Sequence, residues 1–251
     1  MKALVVCKHP KNAREFNECK IIKINGLEVF YSWKNALTER ELKDIDFIIT
    51  MGGDGTALST SHFIKNQPML AVNLNPNKSE GALTSIPFNL LEQKLKEIIR
   101  KENREEKYVR IEVKINNKPI DFLALNEVFI GNAKPYIISR YKIKFKQDEE
   151  EQKSSGLIVA TGAGSTAWFK SAGGIPFNPT ERIIKMIIRE PYKGKLSNPK
   201  ITSLTIKEGE ELIVIPKTKL ILSIDSIREI SLSEGEEVKI RISKTPLIKI
   251  V

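Results

Sequence analysis

The chain is short of the residues that build metal cages. Its two cysteines, Cys7 and Cys19, form no CxxC pair, and His9 and His62 have no partner at metal or catalytic spacing. A structural zinc site is not expected, and so few thiols suit a reducing compartment such as the cytoplasm. No apolar run reaches the roughly 18 residues that a membrane-crossing helix needs, so no membrane partner is expected. The opening Met1-Lys2-Ala3-Leu4-Val5-Val6-Cys7-Lys8 lacks a long apolar core and a small-residue cleavage site; it reads as a strand rather than a signal peptide. The P-loop pattern ending in Gly-Lys-Ser/Thr is absent, as are RNA-recognition and helix-turn-helix patterns, internal repeats and low-complexity tracts.

What is present is globular. At 251 residues the chain holds one large domain or two modest ones, and its 41% hydrophobic and 29% charged content suits a soluble core-forming protein. The formal charge of +10 favours anionic partners such as nucleotides or polyphosphate. It equally fits a Lys/Ile/Glu-rich, heat-adapted composition. The lysines are scattered, so a nucleic-acid partner is not expected.

The first hundred residues alternate strand and helix patterns. Strands are expected over 3–7, 46–51 and 69–74, and helices over 38–43, 57–65 and from Ser85 onward. Thr38 and Glu41 stand at capping-box spacing. In the last helix Phe88, Leu91, Leu95, Ile98 and Ile99 share a face, while Glu92, Lys96 and Arg100 point away. Such alternation implies a parallel sheet covered by helices. Past Glu102 period-2 alternation takes over, as in Arg110 to Ile115, Lys142 to Phe145, Leu212 to Ile215, Leu220 to Ile224 and Val238 to Ile242, with a turn at Asn116-Asn117. This predicts an antiparallel β domain. The acidic run Asp148 to Glu151 reads as a solvated loop, and the apolar tail Leu247 to Val251 as a strand packing back on the first domain.

The most informative stretch is Phe47-Ile48-Ile49-Thr50-Met51-Gly52-Gly53-Asp54-Gly55-Thr56. A buried strand enters a glycine turn carrying one carboxylate, and Thr56 opens a helix. Glycines allow positive φ and close approach of a bulky ligand, and a helix N-terminus favours phosphate. An acid beside phosphates holds a metal or takes a proton, and both suit phosphoryl transfer to an alcohol. Downstream, Gly156 to Thr161 is a buried strand leading into Gly162-Ala163-Gly164-Ser165-Thr166-Ala167-Trp168, where Ser165 and Thr166 offer hydroxyls at a helix start and Trp168 offers a flat face for stacking. Asn126-Glu127 interrupts the apolar strand around Leu125 and Val128. A buried carboxyl needs an internal partner or a polar ligand, and both readings stay open. Lys170-Ser171-Ala172-Gly173-Gly174-Ile175-Pro176 is a small-residue turn.

In this order, Gly52-Gly53-Asp54-Gly55-Thr56, Asn126-Glu127, Thr161 to Trp168 and Ser171-Ala172-Gly173-Gly174 resemble the motifs of the ATP/polyphosphate-dependent NAD kinase family, across nearly the whole chain. The resemblance implies an α/β N-terminal domain with a mostly parallel sheet plus an all-β C-terminal domain, the NAD kinase-like fold of the diacylglycerol kinase superfamily. The first domain would be 1–103, a β-rich nucleotide-binding domain 104–240, and a returning tail 241–251. It further implies transfer of the γ-phosphate of ATP (or of polyphosphate) to the 2′-hydroxyl of the adenosine ribose of NAD. Asp54 would be the general base, and Gly52, Gly53, Gly55 and Thr56 would serve the phosphates. Asn126, Glu127, Ser155, Thr161, Ser165, Thr166, Ala167 and Trp168 would line the NAD site. Mg2+ would accompany ATP, and a cytoplasmic homodimer or homotetramer is expected. The chain departs from the family at Ser155 (usually Asp, on the nicotinamide side), at Gly81-Ala82-Leu83-Thr84-Ser85 (usually bearing an aromatic), at Trp168 (usually Tyr) and at Asp225-Ser226 (usually Asp-Gly). A same-fold kinase acting on a sugar, nucleoside or inositol, or a non-catalytic nucleotide-binding module, are the alternatives.

Overall fold

The computed structural model describes residues 1–8, 22–77, 81–195 and 198–251; His9 and Cys19 lie outside them. The chain divides into two compact units, Met1–Tyr108 with Leu247–Val251, and Val109–Pro246.

The first unit is built on a mixed sheet. Strands β1 (Lys2–Cys7), β2 (Glu28–Trp33), β3 (Phe47–Gly52) and β4 (Met69–Asn73) are all parallel, in the order β2-β1-β3-β4. β3 and β4 are buried along their whole length, as expected when both faces of a parallel sheet are covered. The two-residue strand β5 (Ile86–Pro87) pairs with β4. Helix α2 (Leu91–Ile99) buries Leu91, Leu95 and Ile98 against Val5, Ile49, Leu70 and Val72. The Lys96–Glu92 pair (2.6 Å) stands on its outer face. Strand β19 (Leu247–Ile250) lies between β4, to which it is parallel, and the antiparallel β6 (Glu105–Tyr108).

Three local expectations are corrected. The segment at 38–43 is a 3-10 turn, Glu39–Leu42, although the Thr38 N–H does reach Glu41 Oε2 at 2.9 Å. Helix α1 spans Asp54–Ser61 rather than 57–65, because the extended Gly53 (φ −102°, ψ −170°) caps it and its carbonyl receives the N–H groups of Thr56 and Ala57. At the other end Ser59, Thr60 and Ser61 turn their hydroxyls onto the carbonyls of Gly55, Thr56 and Leu58, the backbone competition that shortens helices. Ser85 is not a helix cap. Its N–H bonds Ala71 O and its hydroxyl Ile250 O, both at 2.6 Å, so it serves the sheet, and the helix proper waits until Leu91.

The second unit is a sandwich of two six-stranded antiparallel sheets. One runs β11 (Asp148–Ser154), β10 (Ser139–Phe145), β15 (Glu211–Pro216), β18 (Val238–Ile242), β7 (Ile111–Ile115) and β8 (Lys118–Pro119). The other runs β14 (Ser203–Lys207), β13 (Ile183–Ile188), β12 (Leu157–Ala160), β9 (Glu127–Gly131), β16 (Leu220–Ile224) and β17 (Arg228–Leu232). Alternate residues of both sheets, among them Val113, Ile143, Val214 and Ile240 from one and Ile130, Val159, Met186 and Leu222 from the other, share one core. Asn116 and Asn117, at φ 49° and 66°, make the predicted turn between β7 and β8.

The acidic run is a further correction, since Asp148 to Glu151 form the start of strand β11. Its register sets Lys144 opposite Glu149 and Lys142 opposite Glu151. Glu149 pairs with both Lys142 and Lys144. Cross-strand charge pairing lets an all-acid sequence form an edge strand.

Candidate active site

The first unit presents one constellation at the β3–α1 turn. Asp54 sits in the first turn of α1, where the helix dipole favours a negative charge. Its carboxylate is aimed by the loop after β4: Oδ2 accepts the Ala82 N–H at 3.0 Å and Oδ1 the Leu83 N–H at 2.9 Å. A carboxylate has about four lone-pair directions, so each oxygen keeps one for a further donor. No positive φ occurs at Gly52, Gly53 or Gly55, contrary to the reason first given for these glycines. Gly52 is required by packing instead, because a Cβ there would meet Thr56 Oγ1 at 2.3 Å. Gly55 is exposed and opens onto free space. Leu83, within the loop that departs from the family pattern, is buried and leaves its backbone to Asp54.

Behind that loop lies a group the sequence reading missed. Lys249, on β19, is buried, with its Nζ 3.4 Å from Thr84 O, 3.3 Å from the Tyr108 hydroxyl and 5.0 Å from the Tyr108 ring centre. Burial lowers its pKa, while the negative charges of Glu106 and Asp54 oppose that shift. The one sequence signal was a lysine inside an apolar strand.

The second constellation lies in the second unit, where β9, β12 and the β16–β17 turn meet. Asp225, buried and at φ 52°, accepts the N–H groups of Leu125 (2.8 Å), Asn126 (2.7 Å) and Glu127 (2.9 Å). In return its own N–H bonds Glu127 O at 2.9 Å. The Thr161 N–H bonds Asn126 O at 2.9 Å and its hydroxyl bonds Leu125 O. Gly164 is pressed so closely on Asn126 that a Cβ would lie 2.2 Å from Asn126 O. Two sequence motifs separated by residues 128–160, Asn126-Glu127 and Thr161 to Ser165, are therefore one structure. Asn126 Oδ1 and Glu127 Oε2 are buried atoms without a hydrogen-bond partner. The Glu127 carboxyl is pushed up to about 7, by burial first and the Asp225 charge second, against the opposing hydrogen bond from Ser226.

The remaining predicted residues divide. Thr161 and Ser165 are fully buried. The Ser165 hydroxyl bonds the carbonyls of Gly162 (2.7 Å) and Phe177 (3.2 Å) and accepts the Phe177 N–H (3.0 Å), so it is spent inside the protein. Thr166 and Ala167 are exposed, in a 3-10 turn (Gly164–Thr166) leading to the four-residue helix α3 (Trp168–Ser171) rather than to a long helix. Trp168 is half-buried against Phe129, ring centres 4.9 Å apart, and the Arg189 guanidinium stacks on it at 5.2 Å. Ser155, at the position where the family pattern has an acid, donates its N–H to Arg189 O at 3.0 Å. Nothing in the sequence pointed to Arg189.

Comparison with known proteins gives these constellations a family. The ATP-NAD kinase N-terminal domain matches residues 4–103, and the ATP-NAD kinase C-terminal domain matches residues 96–251. An NAD kinase of Marinomonas sp. (strain MWYL1) is 33% identical over 212 residues, covering 80% of this chain and 70% of the relative. An NADH kinase of Arabidopsis thaliana is 33% identical over 208 residues, covering 74% of this chain and 65% of the relative. Across these and two Clostridium botulinum relatives the chain spans 59% to 70% of the relatives' own length. The crystal structure of an NAD kinase from Archaeoglobus fulgidus in complex with ATP superposes with a TM-score of 0.80 at 27% identity, covering 100% of this chain and 94% of that one. With both domain families matched end to end, and the expected α/β and all-β units in place, the chain belongs to the ATP-NAD kinase family.

Proposed function

We propose that this chain transfers the γ-phosphate of ATP to the 2′-hydroxyl of the adenosine ribose of NAD, giving NADP, with Asp54 as the general base. The observation that carries the reading is the Asp54 carboxylate, held by two backbone N–H groups in the first turn of α1. So fixed, it accepts a hydrogen bond from the ribose hydroxyl on a remaining lone pair. It takes the proton as the ribose oxygen bonds to the γ-phosphorus, and the bond from phosphorus to the bridging oxygen of ADP breaks. General-base help of this kind is worth about 10²–10⁴ in rate. The N-terminus of α1, with Gly53 and the open Gly55, is suited to phosphate oxygens, whereas Gly52 and Thr56 pack the turn. Asn126 and Glu127 offer polar atoms to the dinucleotide. Thr166, Ala167 and Trp168 are the accessible part of the Thr161 to Trp168 segment, with Thr161 and Ser165 as its internal frame.

Among the described residues no group of three or more His, Cys, Asp or Glu is placed to hold a metal ion. The protein residues do not fit a metal cage, and a Mg2+ ion would be held by the donor phosphates it accompanies. A homodimer or homotetramer is part of this reading, to be tested by light scattering. Two cysteines in 251 residues suit a cytoplasmic location. No helix among the described residues is long and apolar enough to cross a membrane.

The test is NADP formation from Mg-ATP and NAD by purified protein. Formation that Asp54→Asn abolishes supports the reading; no NADP from ATP or polyphosphate overturns it. NADH is to be assayed in parallel as acceptor, because position 155 lacks an acid.

A further inference from the structure

Lys249 is a costly residue to place in an apolar strand. Its neighbours on β19 are Leu247, Ile248 and Ile250, and it is only 5% exposed. An ammonium taken out of water carries a desolvation penalty that an apolar side chain of similar length avoids. The hydrogen-bond partners it finds are two, Thr84 O at 3.4 Å and the Tyr108 hydroxyl at 3.3 Å. Across the strands its backbone stands opposite Met69 of β4, which brings no charge, and Glu106 of β6. Lys94, on α2, is engaged by Glu97 at 2.7 Å and by Val251 O at 3.1 Å. The negative charges that act on Lys249 are those of Glu106 and Asp54. Stability alone does not account for a cation at this place.

What the ammonium touches is the loop that aims Asp54. The Thr84 carbonyl and the Ser85 N–H belong to one peptide unit, which is planar. That plane is held at both ends, by Lys249 Nζ on its oxygen and by Ala71 O, 2.6 Å from its nitrogen. The Thr84 hydroxyl reaches back to Gly81 O at 3.2 Å, and Gly81 turns the chain at φ 70°. Between these anchors lie Ala82 and Leu83, whose N–H groups grip the two Asp54 oxygens. All of these residues belong to the first unit.

We propose that Lys249 is a positioning residue for the reaction: its ammonium anchors the Thr84–Ser85 peptide plane and through it aims the Ala82 and Leu83 N–H groups that orient the Asp54 carboxylate. The proposal rests on the reading of Asp54 as the general base. Lys249 acts through Asp54 rather than on the substrate. The lysine then contributes to rate more than to stability, the reverse of a residue that serves only the fold. Arginine at this position keeps the cation and its donors, whereas methionine keeps the length and loses both.

The experiment is steady-state NADP formation from Mg-ATP and NAD, with thermal melting of the same samples. It uses the full chain, Lys249→Met, Lys249→Arg, Asp54→Asn and the double variant of Asp54→Asn with Lys249→Met. Lys249→Met is expected to lower kcat by about tenfold to a hundredfold, the scale of a misplaced reacting group, with KM for ATP and for NAD within about twofold. Its Tm is expected to equal or exceed that of the wild type, because a buried charge has been removed. Lys249→Arg is expected to recover most of the rate. In the Asp54→Asn background Lys249→Met is expected to change the residual rate by less than about twofold, since residues that act as a unit are not additive. A Lys249→Met chain with wild-type kcat, or one that loses the same factor with and without Asp54, overturns the proposal and leaves the kinase reading standing. A Lys249→Met chain that fails to fold does the same, because the lysine then serves the fold. A wild type that forms no NADP overturns both. Amide hydrogen exchange followed by NMR reads the positioning without turnover. The Ala82 and Leu83 N–H groups are expected to exchange at least about tenfold faster in Lys249→Met, with those of β3 unchanged. Equal protection of Ala82 and Leu83 in the two chains overturns the proposal.

Discussion

Asp54 and Asp225 are both aspartates gripped by backbone N–H groups, yet one is partly exposed and the other buried. Asp54 takes two N–H bonds from a loop across the sheet and keeps lone pairs free. Asp225 takes three from consecutive residues and pins the start of β9 to the next hairpin. The same chemical group keeps lone pairs free where donors are few and access is open, and acts as a structural clamp where donors saturate it. Burial and donor count, not residue type, separate the roles.

The largest effect that can break this comparison is on rate. Asp54→Asn should lower NADP formation by about 10²–10⁴ with circular dichroism unchanged; a loss under tenfold would remove Asp54 from the chemistry. Next comes stability. Asp225→Ala leaves three N–H groups unmet and should cost at least about 2 kcal/mol. That corresponds to a midpoint fall of roughly 4–8 °C for a chain of this size. Asp54→Ala should cost visibly less in the same melting experiment, and equal losses would show that the two acids do one job.

A sharper pair contrasts two glycines of the same turn. Gly52→Ala drives a methyl into Thr56 Oγ1, whereas Gly55→Ala enters open space. The first should depress both Tm and activity, and the second should leave Tm nearly unchanged. The smallest effect concerns Lys249. Because burial lowers its pKa below 10.5, the folded chain releases that proton before the unfolded one does. Folding gains stability as pH rises through the folded-state pKa toward 10.5. Urea titrations should show that alkaline gain in wild type and a flatter profile in Lys249→Met.

Much of this was legible in the sequence. Apolar runs at Ile48 and Leu70 and period-2 alternation at Ile111 and Val238 gave two units of the right kind, and the small-residue pattern at Gly52 to Thr56 located the acid. What escaped reading depended on contacts distant in the chain. Ser85 resembles a helix cap until Ile250 claims its hydroxyl, and Asp148 to Glu151 look like a loop until Lys142 and Lys144 face them. Ser165 resembles a ligand contact until Phe177 folds over it. Polar side chains are ambiguous in sequence because their partners, unlike those of an apolar face, follow no period.

The placement of β19 between β4 and β6 has a consequence for biosynthesis. The first sheet borrows its penultimate strand from residues that leave the ribosome after the entire sandwich has emerged. Ser85 and Lys249, which brace the loop gripping Asp54, find their contacts only then. The loop that grips Asp54 thus gains its braces from β19 only after residues 109–246 have been made, so an earlier fragment would hold that carboxylate less firmly.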